Sequence, residues 1–305
     1  MTRRGATTLV GILPIDKPAG MTSHDVVAVV RRATGEGRVG HAGTLDPMAT
    51  GLLVVLVGAY TRLAPYLTAA SKDYFATISF GSETDTDDAD GATIRTAPVP
   101  SEILDPAYAG GVLASYVGKS SQLPPAYSAI KVDGQTAHRA ARAGKPLDLQ
   151  LREIDVSKAT LLSIDPTRMS WDVSFSVSKG TYVRALARDI GRACGTAAHL
   201  SGLRRTASGH LTLTDAHTLD ELAGSAAEGR IAGLFFDPLL ALGLSSLRAP
   251  HDAIRFGAAF DAPTDIAVPE GQAVSVTSGG ALAGIYRSKG GRLIPEVVLP
   301  GGAAA

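Results

Sequence analysis

The 305-residue sequence predicts an α+β fold: a largely antiparallel, mixed sheet flanked by helices, followed by a small β-rich unit. Three observations point there. In MSWDVSFSVS, Trp171, Val173, Phe175 and Val177 alternate with polar residues, the period-two pattern of a half-buried strand. In TYVRALARDIGRACG, Val183, Leu186, Ala187 and Ile190 recur at helical spacing, while Arg184, Arg188 and Arg192 form an i, i+4, i+8 series. Strand and helix patterns follow one another without the regular βαβ alternation that builds a parallel sheet.

The elements are justified in order. GILPIDKPAG is a short apolar strand running into a turn with Pro14, Pro18 and Gly20. Thr22 and Ser23 supply an N-cap for a helix whose Val26, Val27 and Val30 share one face, whose Arg31 and Arg32 end it on the polar side, and which Gly35 stops. GLLVVLVG is short, β-branched and bounded by glycines, hence a buried strand. Strands are expected at YFATISFG and from Ile154 to Ile164, and helices at 101–118, at 136–143 and from Thr218. After about residue 245, Pro250, Pro263 and Pro269 punctuate a stretch leading to QAVSVTS, ALAGIYRS, a KGGR turn and LIPEVVL, a small β unit with a Gly290-Gly291 hairpin. The expected division is therefore 1–245, 246–300 and a frayed tail at 301–305.

Composition narrows the function. With 45% hydrophobic and 19% charged residues, the chain is neither disordered nor collagen-like. Basic and acidic residues balance at 29 each, which excludes a uniformly basic nucleic-acid binder but leaves room for a local basic face. Residues 131–205 hold thirteen basic groups against seven acids, whereas residues 83–105 hold seven acids and only Arg95. Such runs more often mark solvated faces than partner sites. The single cysteine, Cys194, excludes an intramolecular disulfide or a cysteine-rich zinc site. The N-terminal segment lacks the apolar stretch and cleavage site of a secretion signal, and the apolar run from Gly51 is too short for a membrane helix. A cytoplasmic, soluble, monomeric protein is expected.

Several motifs fail on inspection. Gly35, Gly37 and Gly40 spell GxGxxG, but after a helix and not before one. TDTDDADG resembles a calcium loop, yet Thr86 and Ala97 fall where acidic ligands are needed. No metal or cofactor is implied. GRVGHAGTLDPMATG, residues 37–51, is different: four glycines surround His41 and Asp46, and Pro47 restrains Asp46 to extended backbone. By itself an Asp-Pro in such a loop is more often a turn than a reactive group.

Read together, the blocks GHAGTLDPMATG, Asp16 to Gly20, Lys72-Asp73-Tyr74, Pro124 to Ala129, Ser178 to Arg184 and Leu203 to Thr206 resemble the bacterial tRNA pseudouridine-55 synthases, the TruB family, in order over residues 11 to about 210. Residues 246–300 are similar in position to the family's PUA-like RNA-binding domain. The resemblance implies isomerisation of uridine to pseudouridine in the T-loop of tRNA, with no cofactor and no metal, because no electrons move and no water is consumed. It assigns Asp46 as the catalytic carboxylate and Arg184 as its partner. It makes Tyr74 the stacking ring, Tyr182 a second aromatic near the base, and Leu203 an apolar wall. His41 would fill the space left by the flipped base. Lys17 would be a structural or phosphate contact, and Lys179, Arg204 and Arg205 would bind substrate, the two arginines along the tRNA backbone. An acid among Asp88 and Asp90 would order the active-site loop.

Two departures stand out: Asp73 where many relatives carry a basic residue, and Ala42 in place of a frequent threonine. Each residue also has a plainer reading, Tyr74 and Leu203 as core and Arg184 as one of three surface arginines. The competing function is a non-catalytic tRNA-binding module or tRNA-folding chaperone. A nucleoside hydrolase would need a second carboxylate, and none is evident.

Overall fold

A computed structural model describes residues 9–132, 134–248, 257–263 and 266–299. Arg3, Arg4, Pro250 and the tail at 301–305 lie outside the described residues. In chain order the elements are β1 (Gly11–Lys17), α1 (Ser23–Thr34), β2 (Val39–His41), β3 (Thr50–Val57), α2 (Ala64–Thr68), β4 (Lys72–Phe80), β5 (Ser82–Thr84), β6 (Thr93–Thr96), α3 (Pro106–Ser115) and β7 (Gly118–Gln122). They continue with β8 (Lys131–Val132), β9 (Gln135–Thr136), α4 (Ala137–Arg142), β10 (Arg152–Asp165), β11 (Ser170–Val177), α5 (Val183–Ala193), β12 (Ala198–Ser208), β13 (Leu211–Thr212), α6 (Leu219–Ala227) and α7 (Pro238–Leu242). The C-terminal unit holds β14 (Ser246–Arg248), β15 (Phe260–Asp261), β16 (Ala273–Ser278), β17 (Ala281–Lys289) and β18 (Arg292–Val298).

The expected α+β architecture is the observed one. Seven strands run in the order β1-β3-β12-β4-β11-β10-β7, with β2 added to β3 and β13 to β12. The ladders are antiparallel except where β12 meets β3, at Arg204↔Thr50 and Arg205↔Gly51. That one parallel contact brings the loop before β3 beside the C-terminal half of β12.

Local chemistry explains the elements. Thr22 and Asp25 close a reciprocal capping box on α1, and Gly35 ends it at φ 69° in the left-handed region. Trp171, Val173, Phe175 and Val177 all point into the core, and the Trp171 indole N–H donates to the Ile103 carbonyl at 2.7 Å. β3 reads as a continuous apolar run because both its faces are covered. Leu53, Val55 and Val57 join the main core, while Leu52, Val54 and Leu56 join a second core.

Leu282, Ile285 and Val297 of the C-terminal sheet enter that second core alongside Ile12 of β1. The two sheets are thereby sealed by apolar burial, with Arg62 donating to the Val298 carbonyl and Tyr66 to Glu296 at the rim. The Gly290-Gly291 hairpin forms as expected, both glycines at positive φ between Lys289 and Arg292. Among the described residues no helix is long and apolar enough to cross a membrane.

Candidate active site

The site grows from the loop that joins β2 to β3. Asp46 is held by clamps on either side of it. The Ser23 hydroxyl accepts from the Leu45 N–H at 2.9 Å and lies 3.1 Å from the Leu45 carbonyl. On the other side the Lys17 ammonium donates to the carbonyls of Pro18 (2.9 Å), Met21 (2.7 Å) and Pro47 (3.3 Å). Three donors thus meet three acceptors, and Lys17 is wholly enclosed. Gly51 then turns the chain into β3 at φ 98°, where a Cβ would stand 2.3 Å from the Arg205 carbonyl oxygen. No other residue fits there without moving β12.

Arg184 reaches Asp46 from the first turn of α5. Its Nη2 donates to Asp46 Oδ1 at 3.3 Å, and its Nε lies 2.9 Å from Oδ2, close enough for an ion pair but off-axis for a hydrogen bond. The same guanidinium donates to the carbonyls of Thr86 (2.7 Å) and Tyr127 (2.9 Å), and Asp88 lies 3.4 Å from Nη1. Its rotamer is therefore set by partners from three segments. Burial raises the Asp46 pKa, Arg184 pulls it back, and the Asp88 charge pushes the same way as burial. Asp46 stays about one-third exposed at the side chain, open to a ligand.

Arg184 belongs to a ladder. Arg188 pairs with Asp87 at 2.8 Å and Asp189 at 2.9 Å, and Arg192 pairs with Glu83 at 2.7 Å, which also takes Arg95 at 2.6 Å. The acidic run near residue 85 and the arginines of α5 neutralise one another. Arg184 and Arg188 are buried and not the surface arginines that a plain reading of the helix allowed.

Asp46, Tyr74, Tyr182, Arg184, Leu203 and Arg205 line one cleft of about 300 Å³, at the small end for a ligand site. Tyr74 projects from β4 opposite Phe175 of β11 and Arg205 of β12. Tyr182 caps α5, and Gln122 fixes it reciprocally, accepting from the Tyr182 N–H at 2.9 Å and donating to its carbonyl at 3.1 Å. Burial pushes the Tyr182 phenol up, which makes it a proton holder and a poor base.

Of the other expected residues, His41, Lys17, Arg204 and Lys179 do not line the cleft. His41 ends β2 where the loop begins, edge-on to His24 at 5.5 Å, with Nδ1 buried and unpaired and its pKa lowered first by burial. Lys17 lies beneath the loop. Arg204 turns to the opposite face of β12 and pairs with Asp16 at 2.7 Å. Arg205 is buried, donating to the carbonyls of Leu52 (2.6 Å) and Gly43 (3.1 Å). Lys179 stands exposed on the turn before α5.

Sequence reasoning did not single out Ser23 as a loop clamp, Gln122, the Tyr127 carbonyl or Lys72. A polar residue ending a strand ahead of Pro-Pro was the one available signal for Gln122. A larger cleft of about 1100 Å³ between α2 and the C-terminal sheet contains none of these groups, and its Tyr66, Arg287 and Glu296 bond to one another.

Residues 31–183 match the TruB family pseudouridylate synthase N-terminal domain, and residues 184–234 match the tRNA pseudouridylate synthase B C-terminal domain. The tRNA pseudouridine synthase B of Thermobifida fusca is 48% identical over 70% of this chain and 74% of its own length. That of Mycobacteroides abscessus is 40% identical over 95% of this chain and 96% of its own. Among solved structures, an archaeal box H/ACA sRNP Nop10-Cbf5 complex shares the fold, with a TM-score of 0.70 at 23% identity over 95% of this chain and 86% of that one. With the family models spanning both the Asp46 loop and the Arg184 helix, the chain belongs to the TruB family of pseudouridylate synthases.

Proposed function

We propose that this chain isomerises uridine to pseudouridine in tRNA, at position 55 of the T-loop, with Asp46 as the acting carboxylate and no cofactor. The observation that carries the reading is a carboxylate clamped on both sides and engaged by a buried arginine in a cleft sized for one base. The chemistry balances within the substrate. The bond from C1′ to N1 breaks, the uracil turns, a bond from C1′ to C5 forms, C5 gives up its proton and N1 ends protonated. Asp46 serves as nucleophile at the base or at the ribose, and either route requires it ionised, the state Arg184 favours.

Tyr74 receives the flipped base. Extrusion costs a few kcal/mol, and stacking on an aromatic ring returns roughly 1–3 kcal/mol. Leu203 closes the apolar side and His41 stands at the end of β2 to fill the vacated stack. Asp88 and the carbonyls of Thr86 and Tyr127 are positioning groups, since they touch Arg184 and not the reacting atoms.

The test is incubation of chelator-treated protein with unmodified tRNA transcript, then carbodiimide labelling and primer extension, since isomerisation leaves mass unchanged. The expected result is one stop at the T-loop uridine, lost in Asp46→Asn while tRNA affinity stays near wild type. Binding without any stop would favour the tRNA-binding or folding-chaperone reading instead.

A further inference from the structure

Two buried lysines flank the active-site loop, and they differ in one countable respect. Lys17 spends all three ammonium protons on carbonyls. Lys72, at the start of β4 and two residues before Tyr74, donates to Thr68 O at 2.6 Å and Ala70 O at 2.5 Å and has a third proton with no acceptor among the described residues. Lys72 lines the cleft, whereas Lys17 does not.

Its neighbours are cations too. A Cβ on Gly43 would stand 3.5 Å from Arg205 Nη1 and 3.9 Å from Lys72 Cε, so the two side chains converge beneath that residue. Arg205 spends Nε and Nη2 on carbonyls, and Nη1 has no partner among the described residues. Lys179 is near enough to act on Lys72 electrostatically. None of the three has a carboxylate within ion-pair distance among the described residues, although the arginines of α5 all do. Buried charge without a counter-ion is costly, so an arrangement of this kind is complete only when an anion is present.

We infer that Lys72, with Arg205 behind it and Lys179 at the mouth, forms the phosphate-binding end of the cleft and takes an RNA backbone phosphodiester beside the flipped uridine. The inference rests on the isomerase reading for the identity of the RNA. The strained protonation of Lys72 agrees with it: burial, then the charges of Arg205 and Lys179, bring its pKa down to about 8. A bound phosphate would restore it.

The experiment measures dissociation constants of the full chain for unmodified tRNA transcript across a potassium chloride series, with steady-state turnover on the same RNA. Lys72→Gln is expected to flatten the plot of log affinity against log salt by about one unit, the signature of one lost phosphate contact. Its KM should rise about tenfold, with a smaller change in kcat. Lys72→Arg should restore the slope. Wild-type affinity should weaken as pH rises through about 8, where Lys72 loses its proton, while Lys72→Arg stays flat.

A wild-type slope and KM in Lys72→Gln, with only a lower Tm, would overturn the inference and reduce Lys72 to a brace for the Thr68 to Ala70 turn. Wild-type protein that binds RNA without turnover would sink the isomerase reading while leaving the slope comparison to judge Lys72.

Discussion

The arginines of α5 and the cations beneath Gly43 share a charge sign, and Arg184 shares their cleft, yet the two groups are neutralised differently. On the helix every guanidinium meets a carboxylate from the segment Glu83 to Asp88 or from Asp46. Under the loop, Lys72 and Arg205 meet only carbonyls. The first region is closed electrostatically and serves rigidity, holding Arg184 so that Asp46 is aimed. The second is open and serves a ligand. Counting basic residues treats the two alike, and only their partners separate structural charge from binding charge.

The comparison breaks most visibly at Arg188, whose side chain and Asp87 are both nearly enclosed. Arg188→Met leaves a buried acid unpaired and should destabilise the fold by about 3–5 kcal/mol at neutral pH, read by urea denaturation. kcat measured on the folded fraction should hold, because Arg188 pairs with Asp87 and Asp189, not Asp46, and does not line the cleft. A large loss of kcat at wild-type stability would show that the ladder is not merely structural.

A somewhat smaller effect follows from pH. Burial, opposed by Arg188, pushes Asp87 up to about 6. The folded state then keeps a proton that the unfolded chain releases near pH 4. Its contribution to stability is full below that point and is lost as pH rises through about 6, a change of up to about 3 kcal/mol. Asp87→Asn tolerates the positive φ of 62° at this position and should flatten the stability profile between those limits. A steep profile retained in the variant would mean that other groups carry it.

Arg192 should show the least. Half its side chain is in solvent, and Arg95 remains on Glu83 when it is removed. Arg192→Ala should cost below about 1 kcal/mol, with activity unchanged. A larger loss would mean that the outer rung of the ladder also aims Arg184.

Much of this protein is written in short-range pattern. Period-two alternation placed Trp171 to Val177 inward, a capping box and Gly35 bounded α1, and the paired glycines at 290 and 291 set the hairpin, because backbone sterics and burial act over a few residues. The Asp46 loop was legible as well, through its glycines, Pro47 and the motif blocks around it. The sequence treated Arg204 and Arg205 as equivalent, but neighbours on a strand face opposite ways, so one pairs with Asp16 outside and the other enters the cleft.

What the sequence by itself determined is thus the elements, their order and the residue types at the chemistry. The tertiary structure alone decided which charges find partners. Arg184 and Asp46 are separated by 138 positions and Arg188 and Asp87 by 101, so their pairing depends on strand order and on the β3 to β12 contact. Lys17 and Lys72 look alike in the sequence. Folding surrounds one ammonium with three carbonyls and the other with two, and that difference in local acceptors, which no spacing encodes, separates a brace from a binding group.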